Sequence, residues 1–564
     1  MKNEDHRPGG RSRSWAYALL LALLVALPYL RGLQHEFVWL DQREIVEEAL
    51  TISSLGDVPR LFIDDDNFAG YHRPIYNLMH SLDRWVWGLD PFGFYLSSLL
   101  LHSLTAVLLF AVLRGLAFGP RAAFAAAALF GLHPVVSSVA GLVHSKADLL
   151  VTTFLLLMIL GIQRLRASGP LTSGAWSLLA AAGLALALFT KELGFLAPIA
   201  LVFWLPQIRS WARERSALVT AFALYSVAAA GLVVFWRLGR GAGSYESDLS
   251  LEERLLTFMT VYVDYARKIV FPHDPSICDS VTVFSAMAVT ERLLWASAFT
   301  ALVGAQWLAV RHHRWSAKWL VLYNLALVPV AQIIPILHFR ADRFLYIPVL
   351  CVACLLVDAA RRIERTRLRP LTAAALAALT LAAGVQTARR VECFANNEAL
   401  FTAEIERTPD YLEGLSVLAR HHDQLGEYRR AKPLWDRALA SYPGRQSFID
   451  LDATLISSSH NSLALGDVDE AYEQLSVRLD EMGPGLKDHA RYNLAVAAWR
   501  LGKYEEAHRQ FETYGRAYPG HASCQFLLGR ACLVLGRYAE GLEALGHYLE
   551  LVPDAADRPQ VEEW

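Results

Sequence analysis

Between Trp15 and about Val385 the chain repeats one theme: apolar stretches close to the roughly 20 residues that cross a bilayer, separated by polar connectors. About eleven such stretches are predicted, at 15–33, 94–115, 122–140, 148–163, 174–189, 193–207, 217–236, 290–310, 317–337, 344–358 and 371–387. The first is preceded by Arg7, Arg11 and Arg13, as a signal peptide would be. Its apolar core is longer than an ordinary signal core and no clear small-x-small cleavage site follows, so it reads as a retained helix. With the N-terminus inside, Arg114 and Arg121, Arg164 and Arg166, Arg209, Arg213 and Arg215, Arg311, Arg314 and Lys318, and the arginines from Arg361 to Arg369 share one side, which is the positive-inside pattern. An odd number of spans then puts the segment after the first helix, and everything beyond about residue 388, on the extracytoplasmic side.

In the tail the period changes. Pro409 and Pro443, Pro519 and Pro553, and Gly502 and Gly536 each stand 34 residues apart. Around the glycines one pattern returns: "LGEYRRAKPLWDRAL" from Leu425, "LGDVDEAYEQL" from Leu465, "LGKYEEAHRQF" from Leu501 and "LGRYAEGLEAL" from Leu535. This resembles tetratricopeptide repeats, with two helices per unit and a small residue where they cross (Ala431, Ala471, Ala507, Gly541). About four repeats are expected over 395–555, with "NNEALFTAEIERTP" as a half-unit leading into them. The predicted fold class is all-α: a membrane domain over 1–390 with a long first outer loop at 34–93, then a repeat domain over 395–564.

A composition of 54% hydrophobic and 19% charged residues excludes an ordinary soluble protein of 564 residues. The formal charge of -2 and a pI near 6.8 give no support to a nucleic-acid partner. The six cysteines include one CxxC, Cys351 and Cys354, but it lies in an apolar run, and all six read as small buried hydrophobes. No zinc pattern or Walker loop occurs, and the short GxG at Gly241 to Gly243 does not open a helix.

Candidate chemistry lies in the outer loops. Long connectors usually bind or cover something, and the segment 34–93 carries Asp41, the run Asp64, Asp65 and Asp66, and "YHRPIYNLMHSLDRWVWGLDPFGFY" from Tyr71. In the latter, Ile75, Leu78, Met79, Leu82, Trp85 and Val86 recur at helical spacing, which predicts an amphipathic helix along the interface. Arg73, ahead of it, could pair with a lipid phosphate or with an acid. Lys191 and Glu192 in "TKELG" could be site residues or a mutual ion pair. His133, before Pro134, could shape a site or cap a helix end through its ring. Arg340 and Arg343 in "HFRADRF" form a basic cluster on the outer face, against the positive-inside trend, which favours phosphate over headgroup snorkelling.

Taken in order, "YHRPIYNLMHSLDRWVWGLDPFGFYLSSLLLHSLTAVLLF", "FGLHPVVSSVAGLVHSKADLL", "FTKELGFLAP" and "RADRFLYIPVL" resemble the transmembrane and tetratricopeptide-repeat family of protein O-mannosyltransferases and its bacterial relatives. The resemblance covers nearly the whole chain and implies a membrane glycosyltransferase of the GT-C fold. It further implies a polyprenyl-phosphate sugar as donor, a protein or glycan as acceptor, and inversion at the anomeric carbon. Asp41 is then the expected base or acceptor orienter, with Glu44 as the alternative acid, and Arg73, Lys191, Arg340 and Arg343 are the expected phosphate cations. The repeats would hold the acceptor or an extracytoplasmic partner.

Two departures bear on catalysis. Relatives commonly carry two adjacent acids after the first span, where this chain has Leu40 and Asp41, and an acid four residues after histidine-proline, where it has Ser138. Leucine accepts no proton and serine is a poor base, so Asp41 or Glu44 has taken over or the chain is a scaffold that anchors its repeats. No cofactor is expected, and a site this poor in acids predicts no divalent metal.

Overall fold

The fold is that of a computed structural model, which describes residues 8–47, 54–63, 72–164, 170–197, 247–273, 276–277, 280–363, 369–447 and 449–564. The expected span at 217–236, most of that at 193–207, the acids Asp64 to Asp66 and the glycines at 241–243 lie outside these residues. The chain divides into two compact units, Met1–Arg407 and Thr408–Trp564. The half-unit at 395 therefore groups with the first unit, and the boundary falls at Arg407.

In the first unit we number the longer helices α1 (Pro8–Ala26), α2 (Pro74–Trp87), α3 (Pro91–Gly115), α4 (Pro120–Gly131), α5 (Lys146–Arg164), α6 (Pro170–Leu188), α7 (Leu251–Val270), α8 (Val289–His312), α9 (Arg314–Leu327), α10 (Tyr346–Ile363), α11 (Arg369–Glu392) and α12 (Asn397–Arg407). Six segments among the described residues are long and apolar enough to cross a membrane: Ser14–Gln34, Pro91–Gly115, Val143–Arg164, Val289–His312, Asp342–Arg362 and Pro370–Glu392. The expected span at 122–140 is a pair, Pro120–Gly131 and Pro134–Ala140, bent by 53°. Those at 174–189 and 317–337 coincide with shorter apolar helices, Gly174–Leu188 and Ser316–Val330. The apolar pattern does not announce α7, because it is amphipathic; it buries Tyr265 and Lys268 on one side.

Local chemistry explains several of the boundaries. Asp90 opens α3 by accepting the Phe92 N–H at 3.0 Å, with Pro91 at the first helical position where its missing donor costs nothing. The bend after α4 occurs where Pro134 cannot continue a helix, and His133 caps the next turn by accepting the Val135 N–H at 3.3 Å. Helices α5 and α6 pack backbone to backbone, and a Cβ on Gly183 would lie 2.8 Å from the Phe154 carbonyl oxygen.

Among its described residues the second unit holds four helix pairs, α13 and α14 (Leu412–Gln424, Tyr428–Ser441), α15 and α16 (Leu451–Leu465, Val468–Arg478), α17 and α18 (Pro484–Arg500, Tyr504–Ala517), and α19 and α20 (Ala522–Val534, Tyr538–Leu551), followed by a short helix, Arg558–Glu563. Ala431, Ala471 and Ala507 are fully buried at the crossings, as the repeat register predicts. The glycine of each recurring "LG" ends the first helix of its pair with φ of +74°, +92°, +74° and +75° at Gly426, Gly466, Gly502 and Gly536. A Cβ at Gly502 would meet no atom within 4 Å, so the requirement there is conformational and not steric crowding. Gly502→Ala is therefore expected to destabilise the repeats by about 1–2 kcal/mol, the cost of an L residue in the left-handed region. A lowered melting temperature of the full chain in detergent checks this, and an unchanged one refutes it.

Candidate active site

A cavity of about 130 Å³ opens where the segment after the first span, the start of α2, the start of α5, the turn after α6 and the stretch before α10 come together. The local backbone places each contributor. The chain leaves the first span through a 3-10 segment, Leu27–Gln34, and turns at Trp39, a non-glycine residue held at φ +53°. The Trp39 N–H donates to the Asn397 side chain at 2.7 Å, which holds the strained residue in place. The consequence is that Leu40 and Glu44 reach the cavity wall. Arg73 and Tyr76 are brought there by α2, whose first turn is tied to the end of α6 by the Ile75 N–H to Phe189 carbonyl bond at 3.3 Å.

Asp41 is not among the wall residues of this cavity, the first correction to the expected arrangement. It is fully buried, and its Oδ1 accepts both the backbone N–H and the ring Nδ1–H of His144, each at 2.7 Å. Because the carboxylate is the acceptor, the imidazole proton is assigned to Nδ1 and Nε2 is left to face Arg343, 3.5 Å from its guanidinium. The Trp39 ring stands edge-on to His144 at 5.0 Å, and Arg343 lies over the rings of Trp39 and Phe344 at 5.8 and 5.4 Å. Asp41 is thus linked to the cavity through an imidazole and a guanidinium. Glu44 is a wall residue, half-buried, and accepts the Tyr76 phenol O–H at 2.5 Å. Burial pushes its carboxyl above the usual range, opposed by His144, the Tyr76 hydrogen bond, Arg343 and Arg73.

Three expected cations line the cavity: Arg73, Lys191 and Arg343. Lys191 is buried and bonded to both oxygens of Asp148 at 2.6 and 2.7 Å, and burial lowers its basicity more than Asp148 restores it. Arg73 forks onto Glu192 at 2.9 and 3.4 Å. Lys191 and Glu192, adjacent in sequence, therefore pair with different partners rather than with each other. Among the described residues no carboxylate pairs with Arg343.

Arg340 is the second correction. Its guanidinium donates to Asp264 of α7 at 3.1 Å and does not line the cavity. Ala341 between it and Asp342 is extended, φ −157° and ψ 136°, and that backbone separates Arg340 from Arg343 in a way that closeness in sequence hides. His133 is the third: besides capping the bend, its Nε2 contacts the Ile269 carbonyl at 2.9 Å, so it fastens α7 and does not shape the cavity. Ser138 is buried and donates to the Val135 carbonyl at 2.9 Å, and Leu40 contributes only an apolar wall. Neither supplies a substitute for an acid.

Several site residues went unassigned in the sequence: His144, Tyr76, Asp148 and His338. His338, at the wall, is pushed well below its usual basicity by burial and by the charges of Arg343, His144 and Lys191. Asp148 carried a legible signal, being an acid two residues after Lys146 at the head of an apolar run. Lys146 itself is buried and bound to Asp83, with Ser97 Oγ at 2.8 Å, joining α5, α2 and α3 beneath the site.

The tetratricopeptide-repeat family matches residues 492–556. Over 207 residues, 32% of this chain, the sequence is 30% identical to human protein O-mannosyl-transferase TMTC4, covering 28% of that protein. Over 183 residues, 29% of this chain, it is 34% identical to the Drosophila melanogaster protein O-mannosyl-transferase Tmtc2, covering 19% of it. The matched part thus spans less than a third of the length of these relatives. The crystal structure of ArnT from Cupriavidus metallidurans bound to undecaprenyl phosphate aligns with 83% of this chain and 81% of that one, at a TM-score of 0.39 and 14% identity. The chain is a membrane protein similar over about a third of its length to the TMTC protein O-mannosyl-transferases, with tetratricopeptide repeats toward its C-terminal end.

Proposed function

We propose that the chain is a membrane glycosyltransferase of GT-C type, moving a hexose from a polyprenyl phosphate to a hydroxyl of a protein or glycan on the extracytoplasmic face. One observation carries this reading: Arg343 stands at the cavity wall without a carboxylate partner among the described residues, beside two cations that are already compensated. A guanidinium with no contact ion pair, facing a half-enclosed cavity, is an anion site. A lipid phosphate entering from the membrane would complete it, with Arg73 and Lys191 adding charge as their own acids adjust. In the reaction the acceptor oxygen bonds to the anomeric carbon and the bond from that carbon to the phosphate oxygen breaks. The acceptor proton passes to the Glu44 carboxylate, and the departing phosphate keeps the electron pair, stabilised by Arg343. Asp41 is a positioning residue, holding His144 so that Arg343 is aimed. The phosphate is met by side-chain cations, so the reading needs no metal. The repeats bind the acceptor polypeptide or a partner.

The absence of an acid at Leu40 and Ser138 supports a second reading, a GT-C body without turnover that anchors the repeats as a docking module. One experiment separates them. The full chain in nanodiscs is given decaprenyl-phosphate mannose and a library of serine- and threonine-containing peptides, with hexose gain followed by mass spectrometry. Transfer supports the enzyme. No transfer from mannosyl or glucosyl carriers, together with peptide capture that depends on 408–564, leaves the docking module.

A further inference from the structure

A second, larger cavity of about 800 Å³ lies in the first unit between α1, α4, α10 and α11. Its size is that of a ligand pocket, commonly about 300–1,000 Å³. Small side chains make it wide: Ala122, Ala125 and Ala128 face Ala360, Ala373 and Ala377 across it. It extends along the helices from Arg121 and Arg361 at one end to Leu27 and Leu132 at the other. A continuous span, Asp342–Arg362, carries Arg343 near its start and Arg361 near its end, so the arginine mouth is at the membrane face opposite the candidate active site.

That mouth is basic and built. Arg361 donates to the Ala117 carbonyl at 3.2 Å and lies over the Phe118 ring at 4.3 Å, while Arg114 donates to the Phe118 carbonyl at 2.8 Å. Lys318 approaches the same ring at 6.0 Å. The connector they surround contains Ala117 at φ +62°, a strained conformation held by these contacts. Among the described residues Asp358, at 3.4 Å, is the acid paired with Arg361, and none is paired with Arg121, which is exposed. Among the described residues the charged side chains lining this apolar shaft are Arg121 and Arg361, both at the end that meets a membrane surface.

We propose that this cavity holds an acyl chain of one anionic glycerophospholipid, its phosphate resting on Arg121 and Arg361. Charge complementarity selects an anionic over a zwitterionic lipid, because a choline or ethanolamine head would bring a cation to a mouth already rich in them. The bound lipid fills the shaft that the alanines leave open and joins α11 to α4 and α10. This inference does not depend on the proposed transferase activity.

The full chain is reconstituted in phosphatidylcholine nanodiscs with trace spin-labelled phosphatidylglycerol or spin-labelled phosphatidylcholine, and the motionally restricted fraction of each is measured. Phosphatidylglycerol is expected to be preferred, and Arg121→Gln with Arg361→Gln to weaken its retention by about fivefold per arginine. Ala377→Leu, which narrows the shaft without changing charge, is expected to lower the restricted fraction. Equal restriction of the two lipids, or a preference that survives the double arginine variant, would overturn the proposal. So would displacement of the labelled lipid by equimolar decaprenyl phosphate but not by unlabelled phosphatidylglycerol. If Ala377→Leu does not fold, the arginine variant and the two-lipid comparison still decide.

Discussion

Glu44→Gln is expected to lower sugar transfer by about 10²- to 10⁴-fold, the usual contribution of a positioned general base, while the protein still inserts and folds. Glutamine keeps the shape and can still accept from Tyr76, so what disappears is the ability to take a proton. Glu44 is the carboxylate to test because it reaches the cavity wall and Asp41 does not, and because Asp148 and Glu192 are committed to Lys191 and Arg73. The direction of its acidity supplies a second measurement. Burial raises the carboxyl pKa above its ordinary 4.5, and the Tyr76 hydrogen bond, which favours the ionised form, holds it down. A base must be ionised to act, so kcat/KM falls as pH drops through this pKa. Tyr76→Phe removes the restraining bond, and the acid limb of the pH profile should move to higher pH. A Glu44→Gln enzyme with wild-type turnover, or a Tyr76→Phe profile that does not move, removes Glu44 from the mechanism.

The second large effect is at Arg343. Arg343→Ala should reduce turnover by about 10²- to 10³-fold, as expected when a donor to the developing negative charge is deleted. Arg343→Lys should recover only part of this, since a point charge cannot reproduce a planar fork resting on Trp39 and Phe344. Asp41→Asn tests the indirect arm of the same device. Losing the carboxylate frees His144 to change tautomer and turns Nε2 from an acceptor toward Arg343 into a donor against it. Its turnover should fall with that of Arg343→Ala, and combining the two should cost little more than either alone, because both act through one guanidinium. Additive losses would show that Asp41 has a separate role.

The architecture was legible in the sequence because it depends on local periods. Apolar runs of bilayer length need no partner to be recognised, and the 34-residue step of Gly502 and Gly536 reflects a unit that contacts chiefly its neighbours. Helix α7 escaped this logic because its buried face is set by what packs against it. At the site, residue types were easier to read than roles. Arg73, Lys191, Glu192, Arg343 and Glu44 do line one cavity, since a charge near a membrane needs a reason to be there. His133 and Arg340 carry equally suggestive chemistry and are spent on the Ile269 carbonyl and on Asp264.

The amino-acid order by itself therefore determined that lipid is part of the solvent, that the tail is a stack of helix pairs, and which cations and acids were available for chemistry. Tertiary structure alone decided their pairing: Lys191 with Asp148 across 43 positions, Arg73 with Glu192 across 119, Asp41 with His144 across 103. Ionic and hydrogen-bonding partners are chosen by distance and angle in space, and a linear pattern contains neither. That is why Asp41, the acid the sequence puts first, lies buried against His144, while Glu44 is the carboxylate at the cavity wall that no lysine or arginine side chain bonds among the described residues.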